Sequence, residues 1–155
     1  MAAQDIGTQM RADVLSLRPT SVGLRPEAGP LWGFVMDVVT SDSEWYALVV
    51  LADGTTSLYT SGLLGIIGGG GHETVRDAGR ILWETAADHV DAFAETADTA
   101  LPRPGTTALR LLTFDGQLAV AGADLGAGDH PASPVFFAAH EVLGRLRLVT
   151  QSAHP

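Results

Sequence analysis

The chain has 155 residues and a mass of 16.2 kDa, with 46 % apolar residues, 17 % charged residues and a mean hydropathy of +0.19. That is enough apolar surface for one packed domain and too much for a disordered chain. Eighteen Asp and Glu against nine Arg leave a net charge of −9 and a pI near 4.7, a field that repels phosphate backbones and anionic lipid, so neither nucleic acid nor a membrane is expected as a partner. With no Cys and no Lys, catalytic thiols, disulfides, Cys-type zinc sites, Schiff bases and a phosphate-loop lysine are excluded, and nothing calls for a cofactor.

The first eleven residues carry Asp5 and lack both a basic start and an apolar run, so they do not read as a secretory signal. No apolar run reaches membrane-spanning length, and a cytoplasmic location is the expectation. Ile6, Met10 and Val14 stand four apart, which predicts a helix or arm over residues 1–18 that packs on the body or on a second copy; Gly7 weakens it. Residues 19–30 hold Pro19, Gly23, Pro26, Gly29 and Pro30 and read as a loop. From Leu31 to Thr40 apolar residues occupy both alternating sets, Trp32, Phe34, Met36 and Val38 against Leu31, Val35 and Val39, the pattern of a central strand.

Ser41, Asp42 and Ser43 then make a turn before the β-branched and aromatic run 45–51. The Asp53-Gly54 pair predicts a hairpin into residues 55–60, and so a three-strand meander. The stretch 61–71 ends in four glycines and must be a loop, since ordering so many glycines is too costly for a regular element. Residues 72–98 read as one long helix: Val75, Ala78, Leu82, Ala86, Val90, Phe93 and Ala97 recur at three or four, with Glu84, Asp88, Asp91 and Glu95 along a wet stripe. Residues 106–114, Asp115-Gly116 and 117–121 predict a second hairpin, and Ser133-Pro134 predicts the N-cap and first position of a closing helix over 135–149. The plan of strand, Asp-Gly turn, strand, glycine-rich connection and helix therefore occurs twice.

Chemistry has few footholds. The glycine run Gly68, Gly69, Gly70 and Gly71 leads into His72 and Arg76 at a helix start, where N–H groups, the dipole and a guanidinium would favour an anion; close backbone approach is the plainer use of the glycines. It is neither a Walker loop nor a dinucleotide fingerprint. The acidic stripe is better explained by solvation than by a cation, because a straight stripe spreads its carboxylates. The five histidines form no zinc spacing, and Ser61 with His72 and Glu73 lacks both the geometry and the elbow of a serine hydrolase. A strand containing Ser57-Leu58-Tyr59, the glycine loop and His72-Glu73-Thr74-Val75-Arg76 together resemble a family of uncharacterised bacterial proteins with a His-Glu-x-Val-Arg helix start. The resemblance spans residues 55–80 and implies a domain type without an activity.

The expected architecture is a single α+β domain over residues 1–155: a five-stranded, mostly antiparallel sheet with two long helices on one face and an extra N-terminal helix. The expected role is a non-enzymatic interaction or regulatory module that self-associates as a homodimer, because a strand apolar on both faces leaves more surface than one helical layer covers. The alternatives are a small-anion (phosphate or carboxylate) binder at Gly68–Arg76 and an enzyme with an unrecognised site.

Overall fold

A computed structural model describes residues 4–18, 31–61, 71–122 and 124–152. Its elements in chain order are α1 (Gln4–Ser16), β1 (Leu31–Val39), β2 (Trp45–Leu51), β3 (Thr56–Thr60), α2 (Glu73–Asp88), a 3-10 turn (Val90–Ala92), β4 (Ala94–Thr96), β5 (Thr107–Thr113), β6 (Gly116–Gly122), a second 3-10 turn (Leu125–Ala127) and α3 (Ser133–Ser152). The fold is α+β, with three helices and one antiparallel sheet in the order β3-β2-β1-β5-β6-β4. The sheet has six strands rather than the expected five. β1 lies inside it between β2 and β5, which is where a strand with two apolar faces belongs.

The sixth strand comes out of the segment read as the end of a long helix. α2 stops at Asp88, where the His89 N–H donates to the Ala86 carbonyl and the His89 Nδ1–H donates to the Thr85 carbonyl at 2.8 Å, closing the last turn. After the 3-10 turn, β4 pairs with β6 through Ala94↔Ala119, Glu95↔Leu118 and Thr96↔Gln117. Phe93 and Val90 still face the core. The helical period persisted past the helix because both residues had to be apolar, and a turn delivers them to the core as well as a helix does.

Both hairpin-plus-helix units place their helix on the same face of the sheet. There Val75, Ala78, Leu82 and Ala86 of α2 and Val135, Ala139, Val142, Leu143 and Leu146 of α3 pack on Phe34, Met36, Leu48, Val50, Leu109 and Leu111. The Asp53-Gly54 and Asp115-Gly116 turns hold as read, with φ of 95° at Gly54 and 151° at Gly116, values that glycine alone adopts cheaply. At the start of α3 the Ser133 hydroxyl does not cap the helix: it donates to the Leu125 carbonyl at 2.6 Å.

The opposite face carries α1, whose Val14, with Met10, Leu15 and Leu17 beside it, packs with Trp32, Val35, Ala47, Val49, Leu51, Tyr59 and Leu112. A bulge between Leu31 and Gly33 sends Leu31 and Phe34 to the α2/α3 side and Trp32 to the α1 side, so strict alternation along β1 misassigns its first residues. The surplus apolar face expected to seek a second copy is thus covered by the chain's own first helix. Gly7 makes that seating close, since a methyl group there would run into the Thr60 carbonyl oxygen of β3. In a solvated helix Gly→Ala gains about 1 kcal/mol. Here Gly7→Ala is expected to lower the melting temperature; an unchanged or higher value would show that α1 does not rest on β3.

Candidate functional site

Of the glycine-run residues, Gly68, Gly69 and Gly70 lie outside the described residues. Gly71 is exposed, and a Cβ there would meet nothing within 4 Å. His72 is the exposed N-cap of α2, extended at φ −101° and ψ 129°, and its ring makes no capping bond. Arg76 is exposed one turn on, its N–H bonded to the His72 carbonyl. Two further arginines converge there: Arg80, paired with Asp77 at 3.4 Å, and Arg145 of α3, which holds Glu141 at 2.8 Å and donates to the Thr74 carbonyl at 3.4 Å. Against an anion stands Glu73, a carboxylate already in the first turn at the positive end of the dipole.

The acidic stripe does not survive as one surface. Glu84 and Asp88 lie on α2, Asp91 in the 3-10 turn and Glu95 on β4. Among the described residues no group of three or more metal-ligating side chains gathers. Nor do the histidines: the His130 Nδ1 accepts from the Ala132 N–H at 2.9 Å, His89 closes α2, and His140 lies on α3 with its ring 4.3 Å from that of Phe136. No helix among the described residues is long and apolar enough to cross a membrane.

The densest polar constellation is one that local sequence patterns did not single out. Asp37 of β1 is 0 % exposed beneath α1. Arg11 of α1 forks onto it, Nε to Oδ1 and Nη2 to Oδ2, both at 2.8 Å, and Arg110 of β5 adds Nε to Oδ2 at 3.0 Å. Three further guanidinium N–H groups reach three successive carbonyls after β4: Arg110 Nη1 to Asp98 at 2.6 Å, Arg11 Nη2 to Thr99 at 2.7 Å, and Arg110 Nη2 to Ala100 at 2.6 Å. Two cations and one anion leave a formal +1 inside the protein, spread over carbonyl dipoles. The signal in the sequence was a lone charge in each of two apolar strands, Asp37 in 31–39 and Arg110 in 107–113; Arg11, among polar neighbours, gave none. Asp37 is fully enclosed, and Arg11 and Arg110 keep only 11 % and 5 % of their side chains exposed, so the cluster suits structure rather than chemistry.

Beyond β5 lies an open groove of about 470 Å³, lined by Glu95, Thr96, Thr113, Asp115 and Gln117 among others. On the helical layer, large apolar side chains are left outward: Ile81 is 51 % exposed, Phe137 50 % and Leu148 63 %. Comparison with protein-family models, with curated proteins and with solved structures finds no match to this chain.

Two outcomes follow. Removing the shared carboxylate strands two buried guanidinium groups, so Asp37→Ala should cost about 3–5 kcal/mol in a denaturant melt; a loss below about 1 kcal/mol would contradict its burial. His140 has its pKa lowered from 6.5, first by burial and then by the charge of Arg147, and its Nε2 is buried without a partner. As the pH falls below 6.5 the unfolded chain takes up a proton at this ring that the folded one resists, so stability should decline from that point until the folded ring also titrates. His140→Leu should flatten that part of the stability profile, and an unchanged slope would assign it to other groups.

Proposed function

We propose that the chain is a non-enzymatic interaction module that self-associates as a twofold homodimer through its helical layer. The observation that carries this reading is the outward face of α2 and α3, where Ile81, Phe137 and Leu148 remain exposed. Phe137 and Leu148 are eleven residues apart, three turns along one face of α3, with Gly144 open between them. Charge supports it too. Arg76, Arg80 and Arg145 gather where α2 begins and α3 nears its end, whereas Glu84, Asp88 and Asp91 at the other end of α2 have no cation partner among the described residues. Carboxylates at a helix C-terminus oppose its dipole, and α2 has no basic residue in its last turn. An antiparallel twofold pairing lays the arginine-rich end of one layer over the acidic end of the other, bringing cations to the carboxylates that have none.

Small-anion binding at the glycine run and Arg76 is the lesser reading, because Glu73 competes for the same dipole. Light scattering is expected to give twice the 16.2 kDa chain mass at micromolar concentration. The pair Phe137→Asp and Leu148→Asp should return it to one chain with its circular dichroism unchanged. A wild-type protein that scatters as a monomer at about 100 μM, well above the dissociation constant of a stable dimer, would overturn the proposal.

A further inference from the structure

The two edges of the sheet are finished differently. At one edge β3 is buried from Thr56 to Tyr59, and α1 comes down on it at Gly7. At the other, β4 offers three residues, of which Ala94 and Glu95 are exposed. It covers only part of its neighbour: β6 pairs with β5 along Gly116 to Gly122 but with β4 only from Gln117 to Ala119. Leu118, Ala119 and Val120 of β6 stay partly exposed, the first two although β4 pairs with them, whereas β5 alongside is buried from Thr107 to Leu112. A sheet that stops with a row of unpaired backbone groups beside half-covered apolar residues offers main-chain pairing to an added strand.

Charge selects what that strand is. Glu95 and Asp115 both line the 470 Å³ groove beside this edge, and neither makes an ion pair among the described residues. Among the described residues no Arg lines the groove. A second copy of this chain is a poor occupant, because antiparallel pairing of two β4 edges sets Glu95 against its own equivalent, and like charges directly opposite destabilise a strand pair. We infer that the β4 edge receives an extended segment of a partner protein in which basic and apolar residues alternate. The segment adds as a seventh strand: its main chain pairs with β4, a basic side chain enters the groove between Glu95 and Asp115, and its apolar residues shield the exposed part of β6. This surface is separate from the helical layer and holds whether or not that layer dimerises.

The test uses the full-length chain, isotopically labelled, and three eight-residue probes: an alternating Arg-Val peptide, the same peptide with every second backbone nitrogen methylated on the pairing side, and an alternating Glu-Val peptide. The Arg-Val peptide is expected to shift the amide resonances of residues 94–96 and 116–120 and to slow amide exchange in residues 94–96 at least tenfold. The methylated and Glu-Val peptides should each bind at least tenfold more weakly. Glu95→Gln combined with Asp115→Asn, both at exposed positions, should weaken the Arg-Val peptide about tenfold while leaving the fold intact. Equal binding of the methylated peptide would reduce the contact to ionic attraction and overturn strand addition. Equal binding of the Glu-Val peptide, or no shift at millimolar Arg-Val peptide, would overturn the proposal as a whole.

Discussion

One buried carboxylate governs how the parts of this protein are joined. Asp37 sits in an interior strand with no exposure to water, where an unpaired charge would cost more than most of a domain's net stability. Its neutralisation needs α1, through Arg11, and β5, through Arg110, and those two arginines in turn need the carbonyls of Asp98, Thr99 and Ala100. A single charge thereby ties together the first helix, two neighbouring strands and the connection that leaves β4. Such clusters add little net stability relative to an apolar replacement, and what they confer is register. α1, with few apolar anchors of its own, can seat in only one way on a face where a carboxylate must meet a forked guanidinium.

The same cluster explains the asymmetry of the two faces. Towards α2 and α3 the sheet presents mainly apolar residues, and two long helices with deep apolar stripes cover it. Towards α1 the layer is a single helix among the described residues, and it adds directed polar bonds to its apolar contacts: the Arg11 fork, the Trp32 Nε1–H donating to the Thr113 carbonyl, and the Gln117 amide reaching the Leu15 carbonyl. One face resists disruption through area, the other through directed bonds.

Much of this architecture was legible in the residues, and the failures have physical causes. The two Asp-Gly hairpins, the apolar strand 31–39 and the closing helix follow from local rules that tertiary structure did not override. The sixth strand was hidden because Val90 and Phe93 obey a helical period while serving the core from a turn and a loop. Gly7 reads as a weakness of α1 until the Thr60 carbonyl beneath it is known. The Asp37 cluster joins residues 26 and 73 positions apart, a distance over which periodicity carries no information. At the candidate site the helix start at His72 and Arg76 was legible, since it depends on local signals. The β4 edge was not, because an edge is a property of the finished sheet.

The placement of β1 also bears on how the protein is made. The strand is finished at Val39, yet its second neighbour, β5, is complete only at Thr113, 113 − 39 = 74 residues later. At the usual pace of synthesis, on the order of 5–20 residues per second, one side of an apolar strand waits roughly 4–15 s on the ribosome for its mate. During that interval β2 and β3 can pair on one side while Arg110, still unmade, cannot yet answer Asp37. With Arg11 as the one cation of its cluster yet made, an inward-pointing charged residue on a waiting edge discourages neighbouring nascent chains from pairing with it. The residue that fixes the finished fold also guards the unfinished one.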